Sequence, residues 1–223
     1  MEKTAQEIFT LLKSTVINQV GRIVFSLGDT TVTMKTTDTV GNSLQSWLQQ
    51  WFLDNDIYES EPTNTQEFPD FYLSESNPKD NMLEVKAFNY NASPAFDIAN
   101  YESYVSSVAE KPYRLNADYL IFGYTMADGD ITIKKLWLKK IWEIAGRGKR
   151  YPLNTQVKRN VIYNIRPSSS FKNGLPSVFS SKEDFLKAVY ETQKMYRGEN
   201  NANDWLEKLK TNFRNYYHTT LEI

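Results

Sequence analysis

The sequence predicts an α/β domain, and three observations carry that expectation. Apolar residues recur at helical spacing near both ends of the chain, and they alternate with polar residues in several short central runs. Between these, Tyr119 to Tyr124 is a nearly continuous apolar run of strand length, as a strand buried on both faces would be. With 223 residues and no repeat or linker, the chain is long enough to bury a substantial interior, and one domain over residues 1–223 is expected.

In chain order, Ile8, Leu11, Leu12 and Ile17 predict an amphipathic helix over Lys3 to Gln19 that Gly21 stops. Arg22 to Leu27 and Thr31 to Lys35, parted by Gly28 and Asp29, predict a short hairpin. Asp38 or Thr39 is placed to cap a second helix, whose Leu44, Trp47, Leu48, Trp51 and Phe52 form a stripe suited to a core or a subunit contact. Phe71 and Leu73, then Leu83, Val85 and Ala87, alternate as strands on either side of the turn-rich stretch 74–81. Such a hairpin would bring Asp70 near Glu84 and put Glu84 and Lys86 on the face opposite the apolar residues.

A helix from Phe96 to about Ala109 is expected next, then the Tyr119 strand, a strand over Ile131 to Leu138 and a short helix at Ile141 to Ile144. Val161, Tyr163 and Ile165 alternate toward Pro167, which ends a last strand. Ser181 and Asp184 start a helix that Gly198 stops after Arg197, and a final helix runs from Asp204 to about Tyr217.

Composition excludes several chemistries. Without cysteine there are no disulfides, thiolate metal sites or cysteine nucleophiles. The single histidine, His218, cannot build a zinc site alone, and a Ser-His-Asp triad would have to use it. The N-terminus lacks a signal-peptide core and no run is long enough to span a bilayer, so a soluble, cytoplasmic protein is expected, with no membrane partner.

The net charge of −1 hides a polarised chain. Residues 134–166 hold ten basic side chains against one acid, Glu143. A local excess of that size is what a phosphate-binding groove needs. Lys139, Lys149 and Lys158 suit phosphate, whereas Arg150, Gln156 and Arg159 can offer paired hydrogen bonds to a base edge. Asn89 and Asn91 leave the Glu84 strand in a turn, where they serve either the turn itself or an adenine edge.

Asp70 and Glu84 converging beside Lys86 would repel one another unless a cation compensated them, and Mg²⁺ is held by such carboxylates together with water and phosphate oxygens. The alternative is a surface strand whose Glu84 and Lys86 pair in solvent. Pro69-Asp70, thirteen residues, then Glu84-Val85-Lys86 resembles the PD-(D/E)XK motif of metal-dependent nucleases. Across most of the chain, the order of elements resembles a type II restriction endonuclease.

That resemblance implies a central mixed sheet flanked by helices and carrying Asp70, Glu84 and Lys86. It implies Mg²⁺-dependent hydrolysis of double-stranded DNA at a short palindromic site, leaving 5′-phosphates, by a homodimer. A cognate DNA methyltransferase would be encoded with it rather than bound to it. In that family a Glu or Gln on the preceding helix approaches the metal, and Gln45 is the match here. The other classes open at this point are a repair or recombination nuclease with the same motif, a non-catalytic DNA-binding protein, and a two-carboxylate glycosidase, in which Lys86 would have no role.

Overall fold

In the computed structural model, which describes residues 1–64 and 67–223, the chain divides into two units of discontinuous sequence. The elements begin with α1 (Ala5–Thr15), β1 (Val20–Arg22), β2 (Val24–Leu27), β3 (Thr30–Thr33), α2 (Val40–Asp54) and β4 (Phe71–Tyr72). They continue with β5 (Met82–Asn89), β6 (Ala99–Asn100), α3 (Tyr101–Glu110), β7 (Asp118–Ala127) and β8 (Asp130–Lys139). The last are α4 (Ile141–Ile144), β9 (Thr155–Lys158), β10 (Val161–Ile165), α5 (Lys182–Arg197) and α6 (Glu199–Tyr217). None of the described helices is long and apolar enough to cross a membrane.

The first unit comprises Met1–Ser93 and Asp118–Lys139. Its sheet has the order β1-β8-β7-β5-β4, with β5 and β7 parallel and every other neighbour antiparallel, hence a mixed sheet. Period-two alternation sorts its side chains. Leu83, Val85, Leu120, Phe122 and Leu136 share one face and pack with Ile8 and Leu12 of α1 and Leu48 and Phe52 of α2. Glu84 lies beside Tyr119 and Lys139, and Lys86 beside Ile121 and Trp137, on the other face.

Local chemistry sets the ends of these elements. Thr4 and Glu7 form a reciprocal capping box on α1, the Glu7 N–H donating to Thr4 Oγ1 at 3.3 Å and the Thr4 N–H to Glu7 Oε2 at 2.8 Å. The helix stops four residues short of the expected end: Asn18, in a left-handed turn at φ 62°, redirects the chain, and Gly21 lies within β1. Gly28 at φ 56° makes the β2–β3 turn as expected. A 3₁₀ turn over Thr37–Thr39 leads into α2, and neither Asp38 nor Thr39 makes the expected side-chain cap.

The second unit comprises Pro94–Ala117 and Lys140–Ile223, with a small sheet of order β6-β10-β9 and helices α3, α5 and α6. The helix expected from Phe96 begins at Tyr101, because Asn100 supplies the cap by accepting from the Ser103 N–H at 3.0 Å. Ser181 caps α5 and Gly198 at φ 93° ends it, both as expected. The last helix starts at Glu199, five residues before Asp204, and buried Trp205 donates its indole N–H to the Val105 carbonyl of α3 at 2.8 Å.

Candidate active site

Two short stretches of chain build the site, and apolar burial holds both. Phe71 is fully buried, meets Phe52 edge-on at 5.4 Å and pairs with Leu83 across β4 and β5. On its outer side β4 is closed by Ser60, which exchanges two hydrogen bonds with Tyr72, at 3.0 and 2.8 Å. Extending the Phe71–Leu83 register by one residue puts Asp70 opposite Glu84, as the alternation predicted.

The contacts are close. The Asp70 N–H donates to Glu84 Oε2 at 3.2 Å, the Val85 N–H donates to Asp70 Oδ2 at 2.6 Å, and Lys86 Nζ donates to Glu84 Oε1 at 2.7 Å. Glu84 is only 8% exposed, so its pairing with Lys86 is no solvated surface ion pair. Burial first, and the charge of Glu84 second, push the Asp70 carboxyl up to about 7, against the opposing pull of the Val85 N–H and of Lys86. Glu61 adds to that upward push.

The arrangement is thus two carboxylates whose negative charge a single ammonium leaves under-compensated. A divalent cation would supply the compensating positive charge. Among the described residues no three acids or histidines converge on one point. A two-carboxylate site still suits Mg²⁺, which keeps several waters and takes oxygens from substrate phosphate.

The other expected residues in the first unit are Gln45, Asn89, Asn91 and Lys139. Gln45 is half-buried on α2 and, among the described residues, makes no hydrogen bond with Asp70, Glu84 or Lys86. One turn on, Gln49 reaches an acid instead, donating to Glu59 Oε1 at 3.4 Å. Burial raises the Glu59 carboxyl above its ordinary value, and its Oε2 is buried without a hydrogen-bond partner. Sequence reasoning missed Glu59 and Glu61; the signal available was two acids just before the motif, on a stretch with no periodicity to place them. Asn89 Oδ1 accepts from the Asn91 N–H at 3.0 Å, the turn-closing role.

Lys139 stands in the same row of the sheet as Glu84, with Tyr119 between, so about 10 Å separates their strands. Lys149, Arg150, Gln156, Lys158 and Arg159 belong to the second unit, the last three on or beside the β9–β10 hairpin. There Lys158 lies over the Tyr163 ring at 5.6 Å, and Arg150 over Tyr151 at 5.3 Å.

Comparison with known proteins gives concordant matches. A family model described as NgoBV restriction endonuclease matches residues 2–223. The type II restriction enzyme NlaIV of Neisseria lactamica is 42% identical over 99% of this chain and 93% of its own length. The type II restriction enzyme NgoBV of Neisseria gonorrhoeae is 40% identical over 70% of this chain and 90% of its own. A solved structure of the NlaIV restriction endonuclease superposes with a TM-score of 0.90 at 40% identity, covering 100% of this chain and 93% of that one.

Proposed function

Since the chain belongs to the NgoBV restriction endonuclease family of type II restriction enzymes, which hydrolyse DNA, we propose that it is a PD-(D/E)XK nuclease whose catalytic set is Asp70, Glu84 and Lys86. It cuts double-stranded DNA at a short twofold-symmetric site and leaves 5′-phosphates. The observation that carries this is the part-buried cluster of Asp70, just before β4, with Glu84 and Lys86 of the neighbouring β5, in which Asp70 N–H lies 3.2 Å and Lys86 Nζ 2.7 Å from the Glu84 carboxylate. One family model running through both units supports treating residues 1–223 as a single functional domain.

Asp70 and Glu84 would hold Mg²⁺. The ion supplies Lewis acidity, lowers the pKa of water and offsets charge on the phosphate. Lys86 is held by Glu84 on the side of the sheet away from the α1 and α2 core, where its ammonium can orient the attacking water and steady developing negative charge. Lys139, in the row of Glu84, together with Lys149 and Lys158, positions the duplex by its phosphates. Cytoplasmic action beside a cognate methyltransferase, which protects host sites, completes the restriction–modification role.

Metal dependence gives a direct test. Purified protein should cut phage DNA into discrete fragments with Mg²⁺, stop when EDTA is added, and bind without cutting when Ca²⁺ replaces Mg²⁺. Undiminished cutting in EDTA would overturn the metal assignment, and a smear in place of discrete fragments would overturn site specificity.

We also propose a homodimer, because two identical subunits match a symmetric site and cut both strands. Support comes from the β2–β3 hairpin, where Phe25 pairs with Val32 and Leu27 lies two residues on, on one face; Phe25 is 57% and Leu27 74% exposed. An isolated two-stranded ribbon is marginal in water, and Trp47 on α2 is exposed as well. Light scattering should give twice the monomer mass; a monomer on cognate DNA would refute the dimer.

A further inference from the structure

The basic segment holds three side chains able to make paired hydrogen bonds to a base, Arg150, Gln156 and Arg159, and the geometry separates them. Strands β9 and β10 are joined by only two residues, Arg159 at φ 50° and Asn160 at φ 65°. Two consecutive left-handed residues form the tight hairpin turn whose twist matches that of the strands, and it normally takes Asn or Gly. Asn160 fits that preference. Arg159 does not, since a long side chain is disfavoured at positive φ, so what Arg159 contributes is its side chain.

The partners of the three differ. Arg150 donates through Nη2 to Asn160 Oδ1 at 3.1 Å and is stacked over Tyr151. Gln156 Oε1 accepts from Asn164 Nδ2 at 3.0 Å. The exposed Arg159 guanidinium makes no hydrogen bond, ion pair or ring contact with any described residue. One candidate braces the turn, one is tied across the ribbon, and one is presented unbound at the tip.

The ribbon itself is two-sided. Ile162 and Ile165 are buried, while Lys158, Val161 and Tyr163 face outward with Val161 45% and Tyr163 43% exposed. A two-stranded ribbon fits the major groove of B-DNA, and a guanidinium fork pairs there with the two acceptors of guanine, O6 and N7. We infer that the β9–β10 ribbon enters the major groove, that Arg159 at its tip reads a guanine of the recognition site, and that Arg150 is a positioning residue acting through Asn160. This inference rests on the endonuclease reading and assigns its specificity to one turn.

The test uses the full chain in Ca²⁺, with the cognate duplex mapped from its cleavage fragments and a scrambled duplex as control. Arg159→Gly suits the left-handed turn and Arg159→Lys keeps the charge without the fork. Each is expected to lose roughly five- to 150-fold in affinity for the cognate duplex and little for the scrambled one, with the loss confined to one G·C pair in a base-pair scan. Replacing that guanine by 7-deazaguanine, which lacks the N7 acceptor, should weaken the wild type and leave Arg159→Gly unaffected. Arg150→Ala should weaken cognate binding by less, and adding Asn160→Gly to it, a residue that suits the left-handed turn, should cost nothing further, because both break one contact.

Equal losses of Arg159→Gly on cognate and scrambled duplexes, with a flatter salt dependence, would make Arg159 a phosphate clamp and overturn the inference while sparing the endonuclease reading. A wild type blind to 7-deazaguanine at every position would overturn it too. A protein that neither cuts nor binds duplex DNA would remove both.

Discussion

Glu84→Gln is expected to abolish DNA cleavage while leaving the fold and DNA binding in Ca²⁺ intact. The substitution keeps the shape of a side chain that is 8% exposed and retains an oxygen that can accept from the Asp70 N–H, so what disappears is the charge and the acceptor for Lys86 Nζ. Asp70→Ala and Lys86→Ala should have the same outcome, since each removes a metal ligand or the ammonium that orients water. Losing one electrostatic contact to a transition state costs about 10²- to 10³-fold in rate, and losing a ligand of the metal should exceed that. Supercoiled-plasmid cleavage measures the rate and a thermal melt checks the fold. Near-wild-type cutting by any two of the three folded variants would show that the chemistry lies elsewhere.

The second large effect is on stability, at the residue next to the site. Phe71→Ala should destabilise the protein by about 3–5 kcal/mol, the usual cost of removing a buried aromatic side chain. At roughly 2–4 °C per kcal/mol for a chain of this size, the melting temperature should fall by about 6–20 °C. Strand β4 has only two residues, so the burial of Phe71 against Phe52 is what fixes the height of Asp70 over β5. Cleavage measured well below the melt should therefore fall as well. A melt displaced by less than about 3 °C, below the shift expected from even a small core truncation, would mean that Phe71 is not the anchor.

The part of the site that sequence made legible is the part governed by a local rule. Alternation in 83–87 put Glu84 and Lys86 on one face, and a turn-rich stretch foretold the antiparallel return that brings Asp70 to Glu84. Gln45 followed from family resemblance alone, and the structure brings a different glutamine of α2, Gln49, to an acid. Glu61 comes near enough to Asp70 to act on its charge through a single bridge between Ser60 and Tyr72, a long-range pairing with no local signature.

The fold divides in the same way. The run at Tyr119 to Tyr124 foretold a strand buried on both faces, and β7 is one, yet nothing in it disclosed that β5 would be its parallel neighbour. The alternation at Val161 to Ile165 foretold β10 but not its membership of a separate small sheet with β6 and β9, because a short alternating strand does not name its partners. Helix ends missed by a few residues wherever the stop was a left-handed asparagine or an early cap in place of the expected glycine or aspartate.

The interleaving of the two units along the chain bears on how such enzymes diversify. Unit boundaries fall after Ser93, Ala117 and Lys139, so transferring either unit intact between related genes requires three junctions. A single recombination event always leaves at least one hydrophobic interior stitched from two lineages, and close-packed interiors tolerate such mixing poorly. Shuffling therefore disturbs an interior in this architecture wherever the single junction falls. Point substitution at exposed positions disturbs neither interior, and the two-residue β9–β10 turn, exposed at both positions, is where drift meets little resistance.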